Sequence, residues 1–220
     1  MNKNPIDELT QEHGPIKVML RVLEKMNEKI SQGEDVSNTD LNNGIIFLKE
    51  FADKCHHGKE ENLLFPMMKK NNIKKELELI DVLIAEHVVG RSCIKNMVTA
   101  IEMKSSDKAG FADLFVKNSE AYVKLLDQHI DKENLILFPE AKQSLSEEKL
   151  KELEAGFENV EKNIIGEGRH AELHKLIDEL KRRYLSQRQG LKMKEPRFLI
   201  LGLVSFAVGV LVMYIVEKYF

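Results

Sequence analysis

The sequence predicts an all-α protein: an up-down-up-down four-helix bundle, an additional C-terminal helical region and one transmembrane helix. Apolar residues recur at helical spacing through most of the 220-residue chain, and no segment of useful length alternates with the period of a strand. Proline is scarce, with 5 residues, whereas Leu, Lys, Glu and Met are frequent, a mixture that favours helix. Four helical segments of similar length are joined by short polar breaks, which is typical of a bundle.

The bundle is assigned to residues 1–141, with helices predicted over 6–31, 41–70, 74–104 and 111–141. The first helix has Ile16, Leu20 and Leu23 on one face, as expected of an amphipathic helix. The polar segment 32–39 contains glycine and cap-forming residues and therefore reads as a loop. A capping box from Ser144 to Glu147 is predicted to begin the additional helical region, residues 142–189.

A basic linker, residues 190–197, precedes the uncharged segment 198–216, which has about the length of a helix that crosses a bilayer. Because basic flanks stay on the cytoplasmic side, we expect a single-pass C-terminal anchor in the cell membrane, with the bundle facing the cytoplasm. Ser205 and Gly209 form a small-xxx-small pattern that could pair two anchors into a homodimer.

Composition excludes some classes of partner and site. The formal net charge of −3 and the lack of a basic groove with interleaved aromatics argue against nucleic acid binding. The chain has two cysteines, Cys55 and Cys93, whose spacing fits neither a disulfide framework nor a CxxC motif. We interpret both as buried, reduced thiols.

Histidines and glutamates indicate a metal site. A lone histidine on an apolar face is usually a core residue, but here every bundle helix contains at least one histidine, and in the second and fourth helices a glutamate follows one turn later. In an up-down bundle these positions all lie about 10–20 Å from the same end, so their side chains can converge. The predicted ligands are His13, His56, Glu60, His87, His129 and Glu133.

A repeated motif selects the ligand turn in the second helix. The spacing from His129 to Glu133 and then to Phe-Pro recurs from His56 to Glu60, so this pair is favoured over His57 and Glu61, which lie one residue out of register. We expect His57 and Glu61 to orient the ligands by hydrogen bonds. His170 and His174 are also one turn apart, and we interpret them as a surface or interface pair.

The donor set limits the choice of metal. Four imidazoles and two carboxylates form a mixed nitrogen and oxygen set, and neither cysteine lies on the ligand face, so ions that prefer thiolates are disfavoured. Six protein ligands exceed the four of a tetrahedral structural zinc site. Two iron ions bridged by the two glutamates would use all six. On chemistry alone, copper and a pair of zinc ions remain open.

The segments that carry these residues resemble the hemerythrin HHE cation-binding family, including the repair-of-iron-centres proteins. They are LTQEH, HHGKEENLLFP, AEH and HIDKENLILFP, and the resemblance covers residues 5–140. It implies a hemerythrin-like bundle with two iron ions on the six residues named above. Oxygen-carrying members have a second histidine where this chain has Arg91, and an aspartate at wider spacing where it has Glu133. The ligand set is closer to the iron-repair and nitric-oxide-responsive branch, whose N-terminal cysteine-rich segment is missing here.

The expected function is a membrane-anchored non-heme di-iron protein that binds, senses or scavenges O₂ or NO. Six ligands for two irons leave an open coordination position, which favours a gas-binding protein over an enzyme. The alternatives are an enzyme-like role, either repair of iron-sulfur or di-iron centres or reduction of NO or peroxide, and a di-iron signalling adaptor.

Overall fold

Four long helical segments form the bundle in the computed structural model, which describes residues 4–71 and 77–186. Two of them are uninterrupted, and two contain π-helical turns. The first is α1 (Pro5–Ser31) and the third is α4 (Leu77–Met103). The second consists of α2 (Asn38–Phe47), the π-helical segments Leu48–His57 and Glu60–Leu64, and α3 (Phe65–Lys70). The fourth consists of α5 (Lys108–Lys132), the π-helical segment Glu133–Leu137, and α6 (Phe138–Ser144).

Side-chain caps determine where three of these segments begin. The side chain of Asn4 accepts a hydrogen bond from the Ile6 amide at the start of α1. Ser37 caps α2 and Asp107 caps α5 in the same way. Each cap satisfies a backbone amide that has no partner within the helix. The polar breaks identified in the sequence therefore do separate the bundle helices.

The additional helical region contains α7 (Glu147–Asn159), the π-helical segment Val160–Gly166, and α8 (Arg169–Tyr184). The predicted capping box at Ser144 is wrong. Ser146 caps α7 by accepting from the Lys149 amide, whereas the Ser144 hydroxyl donates to Glu140. The turn before α8 uses positive φ at Gly166 (113°) and Gly168 (78°), a conformation that glycine adopts without strain.

Two apolar clusters lie on either side of the predicted ligands. The larger contains Phe51 and Phe115, and the smaller contains Phe65 and Phe138. Along α1, Leu9 belongs to the smaller cluster and Ile16 to the larger, so His13 lies between them. The C-terminal helices contribute to both clusters: α8 adds Leu173, Ile177 and Leu180 to the larger, and α7 adds Leu153 and Phe157 to the smaller. This packing places the additional region beside the ligand layer.

The predicted fold with a transmembrane helix needs correction. Within residues 4–71 and 77–186, no helix combines the length and the apolar character needed to cross a membrane. The longest helices, α1 and α4, have 27 residues each, but charged side chains recur along both because one face of each meets solvent. The predicted anchor, residues 198–216, lies outside the described residues, and the membrane localisation that depended on it is not supported. The fold is corrected to an all-α structure.

Candidate metal centre

The six predicted ligands converge in the layer between the two apolar clusters. Each is buried, with no more than 3 % of its surface exposed: His13, His56, Glu60, His87, His129 and Glu133. The glutamates stand at the first residues of the π-helical segments Glu60–Leu64 and Glu133–Leu137. π-Helical turns are rare and occur frequently at functional sites. The fold therefore brings all six predicted ligands into one interior layer.

The histidines form two pairs. The Nε2 atoms of His13 and His56 are 3.1 Å apart, and those of His87 and His129 are 3.0 Å apart. Each pair joins two helices that are consecutive in the chain. Two ring nitrogens at this distance can bind one metal ion between them. We call the His13 and His56 pair the first position and the His87 and His129 pair the second position.

Both glutamates point one oxygen toward each position. The Glu133 carboxylate has Oε2 3.1 Å from His13 Nε2 and Oε1 3.0 Å from His129 Nε2. The Glu60 carboxylate has Oε1 3.7 Å from His56 Nε2 and Oε2 3.5 Å from His87 Nε2. A carboxylate placed between two pairs of imidazoles in this way can bridge two metal ions. The layer thus has the donors for a dinuclear centre.

The electrostatics of the glutamates indicate that the layer suits cations. Within the described part of the chain, neither oxygen of Glu60 has a hydrogen-bond partner, although the residue is fully buried. Burial and the neighbouring Glu133 raise the pKa of Glu60 well above its usual value. Burial acts on Glu133 in the same direction, but the imidazoles of His129 and His13 hold its pKa well below its usual value. Unpaired buried carboxylate oxygens are costly, and a metal ion would satisfy them.

Each of the four histidines has a hydrogen-bond acceptor at its other ring nitrogen. Nδ1 of His56 donates to Glu12 at 2.9 Å, that of His87 to Glu61 at 2.7 Å, that of His129 to Glu86 at 2.9 Å, and that of His13 to Asn134 at 2.9 Å. A proton fixed on Nδ1 leaves the Nε2 lone pair directed into the layer, as metal binding requires. Glu61 accepts one of these hydrogen bonds, which is the contact predicted for it.

These hydrogen bonds join the bundle helices in a closed ring. Glu12 connects the first helix to the second, and Glu61 connects the second to the third. Glu86 connects the third to the fourth, and Asn134 connects the fourth back to the first. Every bundle helix thus orients a candidate ligand on a neighbouring helix. We call this set the orienting ring.

A basic side chain contacts each of the three carboxylates of the orienting ring. Lys59 Nζ lies 2.7 Å from Glu12, Arg91 donates to Glu61 at 2.6 Å, and Lys132 donates to Glu86. Burial opposes ionisation of Glu61, but hydrogen bonds from His87 and Arg91 lower its pKa below the usual value. Arg91 stands where oxygen-carrying members of the family have a second histidine. It contacts His87 indirectly, through the Glu61 carboxylate that both residues bind.

Comparison with known proteins agrees with this geometry. The family model described as the hemerythrin HHE cation binding domain matches residues 4–141. The chain belongs to the hemerythrin HHE cation-binding family. The hemerythrin-like centre therefore lies in a domain whose family binds cations, and the clustered histidines and glutamates are able to hold a metal ion.

Curated relatives are similar over much of the chain. They include an uncharacterised protein of Mycobacterium bovis and uncharacterised proteins of two Mycobacterium tuberculosis strains, each 21 % identical over 161 residues. The match covers 73 % of this chain and 62 % of each relative, so the chain spans less than two thirds of their length. No solved structure matches the chain.

The hemerythrin-like centre contains an internal repeat that is longer than the HxxxE motif. Glu12 and Glu86 precede the histidines of the first and third helices, and Lys59 and Lys132 occupy equivalent turns of the second and fourth. Each glutamate contacts the lysine of its own half. The two halves differ where Glu61 in the first corresponds to Asn134 in the second. His13 therefore has a neutral acceptor where His87 has a charged one.

His57 lies inside the centre, but the prediction that it orients a ligand by hydrogen bonds is wrong. Its ring stacks on that of His87, with centroids 3.8 Å apart and planes at 15°. Neither ring nitrogen has a hydrogen-bond partner among the described residues, and the side chain is 4 % exposed. It forms a potential ligand group with Glu60, His87 and His129. The sequence signal for this residue is the doublet HH. In the structure the doublet belongs to the π-helical segment Leu48–His57, in which Cys55, His56 and His57 are all buried.

A second group of metal-binding residue types lies nearby: Glu12, Cys55, Glu161 and His170. The Lys59 ammonium already neutralises the two carboxylates of this cluster, because its Nζ is 2.7 Å from both Glu12 and Glu161. Burial and the charge of Glu12 raise the pKa of the Cys55 thiol to about 12, so it is not a thiolate at neutral pH. His170 and His174 both contact the ring of Phe51, which fits the predicted interface role.

Proposed function

We propose that the hemerythrin-like centre binds two iron ions and that the loaded centre binds or scavenges O₂ or NO. The observation that carries this proposal is the placement of both glutamates, each with one oxygen toward the first position and one toward the second. A mixed set of imidazole and carboxylate donors suits iron. Bound iron would supply the redox chemistry and the coordination sites for a diatomic gas.

The two positions offer different numbers of donors. The first position has His13, His56 and one oxygen from each glutamate, whereas His57 adds a further imidazole to the second. The first position is thus the less saturated of the two and the better candidate for an external ligand. This difference favours gas binding at the side of the centre formed by the first two bundle helices.

Aromatic side chains shield the centre from water. The ring of Phe138 stacks on His13, with centroids 5.4 Å apart and planes at 9°. Phe65 stacks in the same way on His87, with centroids 6.1 Å apart and planes at 13°. These are the phenylalanines of the two Phe-Pro motifs, and each covers a histidine of the other half. A small apolar gas can reach such a site more readily than an ion can.

Metal analysis with optical spectroscopy tests the proposal. Anaerobically purified protein should carry close to two irons per chain, and its spectrum should change on addition of O₂ or NO. His129→Ala removes an imidazole of the second position and should lose most of the iron, whereas His174→Ala, outside the centre, should retain it. Full iron retention in His129→Ala, or a spectrum unaffected by both gases, would contradict the proposal. Sustained consumption of NO or peroxide would instead indicate an enzyme.

A further inference from the structure

The C-terminal helical region contacts one half of the hemerythrin-like centre through a buried lysine. Lys59 is fully buried, and its Nζ lies 2.6 Å from Glu8, 2.7 Å from Glu12 and 2.7 Å from Glu161. Glu161 belongs to the π-helical segment Val160–Gly166, beyond the residues that the family model matches. The counterpart in the other half, Lys132, contacts Glu86 and leaves 30 % of its side chain exposed.

These contacts continue to a candidate ligand of the first position. Glu161 holds the Lys59 ammonium, which donates to Glu12 Oε1. The other oxygen of Glu12 accepts from Nδ1 of His56. His170, at the start of α8, places Nε2 3.7 Å from Glu12 Oε1. A continuous series of polar contacts therefore runs from the C-terminal region to the His56 imidazole.

The C-terminal region also encloses the ammonium. The Phe157 ring of α7 lies 5.3 Å from Lys59 Nζ, at a distance where a cation and an aromatic ring attract each other. Lys59 and Glu12 are both buried, so the contact between them is held away from water.

We infer that Glu161, Lys59 and Glu12 are positioning residues through which the C-terminal helical region fixes the His56 imidazole and slows loss of metal from the first position. The inference rests on the proposed two-iron centre. Groups that orient a metal ligand typically change metal affinity about 10–100-fold when they are removed. Glu161 acts one contact further out than Glu12, and Lys59 keeps two other carboxylates without it. We therefore expect an effect of about tenfold, at the low end of that range.

The test compares iron release from full-length variants treated with a ferrous chelator. Glu161→Gln removes the charge at the outer end of the series while keeping the side-chain size. Glu158→Gln is the matched control, because Glu158 pairs with Lys162 at 3.3 Å and both side chains are about two-thirds exposed (64 % and 66 %). Glu86→Gln removes the charge of the equivalent acceptor of His129 and reports on the second position.

We expect Glu161→Gln to release one of its two irons about tenfold faster than the wild type, and the other iron at an unchanged rate. Glu158→Gln should release both irons at the wild-type rate. Glu86→Gln should accelerate release of the other iron. In metal-free protein, the ¹⁵N signals of the His56 ring should shift in Glu161→Gln and not in Glu158→Gln. Wild-type release from Glu161→Gln, or equal acceleration of both irons, would overturn the inference. A wild-type protein that never holds two irons would instead refute the proposed function.

Discussion

Glu60 and Glu61 are neighbours in the sequence but have different surroundings in the centre. Glu60 is fully buried, and its two oxygens face the two candidate metal positions. The side chain of Glu61 is 24 % exposed and accepts hydrogen bonds from His87 and Arg91. The first residue is thus placed to bridge metals, and the second to orient a ligand. One residue of register separates these roles.

Substitution of the two glutamates should separate bridging from orientation. Glu60→Gln cannot present two anionic oxygens, so we expect it to lose most of the iron. Glu61→Gln should retain two irons with affinity reduced about 10–100-fold, because it keeps every candidate ligand and changes only the contacts with His87 and Arg91. Iron titration with a competing chelator measures both. A greater loss in Glu61→Gln would show that the register is wrong.

His57 offers a second test at this scale. His57→Phe keeps an aromatic ring against His87 but removes both ring nitrogens. If His57 is a ligand of the second position, the variant should still bind two irons, with a changed absorption spectrum and weaker binding of one. His174→Phe, which changes a histidine outside the centre, is the control. A spectrum and affinity identical to those of the wild type would exclude His57 as a ligand.

The sequence located the six candidate ligands because each follows a rule of α-helical spacing. Glu60 and Glu133 were found one turn after a histidine, and the repeated Phe-Pro motif favoured Glu60 over Glu61. His57 was assigned to an orienting role and not to the ligand layer itself because an α-helical template places consecutive residues on different faces. In the π-helical segment Leu48–His57, both histidines of the doublet face the interior. Hydrogen-bond partners that are distant in sequence, such as Asn134 for His13, follow no spacing rule, so the sequence could not predict them.

At the scale of elements, the attachment of α8 depends on a buried acid of α2. Asp40 is 3 % exposed and accepts hydrogen bonds from Arg183 and from the Tyr184 hydroxyl, the latter at 2.8 Å. Burial and this contact with Asp40 raise the pKa of Tyr184, so it remains a neutral donor. The last turn of α8 is therefore held to the first turn of α2 by two hydrogen bonds to one buried carboxylate.

Loss of the Asp40 carboxylate should destabilise the molecule. Asp40→Ala leaves the half-buried Tyr184 hydroxyl and the exposed Arg183 guanidinium without their acceptor, which costs about 1 kcal/mol in the free energy of unfolding. Urea denaturation measures the change, and Asp178→Ala at an exposed position of α8 should alter it by less than about 0.5 kcal/mol. Equal stability of the two variants would mean that α8 packs through its apolar face alone.

Element boundaries were predicted to different extents. The loop before α2 and the end of α1 at Ser31 followed from polar and capping residues. The start of α7 was misplaced because Ser144 has Glu147 three residues later and so matches a capping box, whereas Ser146, the observed cap, has Lys149 at that spacing. The transmembrane prediction used the length of an uncharged apolar segment and the basic residues before it, and it concerned residues that the structure does not describe.

For the molecule as a whole, the centre is expected to destabilise the folded state when it is empty and to stabilise it when metal is bound. In metal-free protein, buried carboxylate oxygens of Glu60 and Glu133 have no hydrogen-bond partners among the described residues. A ligand that binds only the folded state stabilises it by about 2.7 kcal/mol at a hundred times its dissociation constant. The balance between folded and unfolded protein should therefore depend on metal.

Removal of metal should lower the unfolding temperature of the whole protein. Chelator-treated wild type is expected to unfold at a lower temperature than the iron-loaded form, and added ferrous iron should restore the difference. In His129→Ala, iron should have little effect because one ligand of the second position is gone. Calorimetry measures each transition. An unfolding temperature that is the same with and without iron would show that the centre does not contribute to stability.

The orienting ring has a consequence for how the protein is made. A ribosome releases the first helix first, but the acceptor for His13 is Asn134, near the end of the fourth. The other contacts of the ring likewise need the next helix in order. No half of the nascent chain can therefore direct all of its imidazoles into the interior. Iron insertion is expected only after synthesis has passed residue 134, when the bundle can close around its own metal.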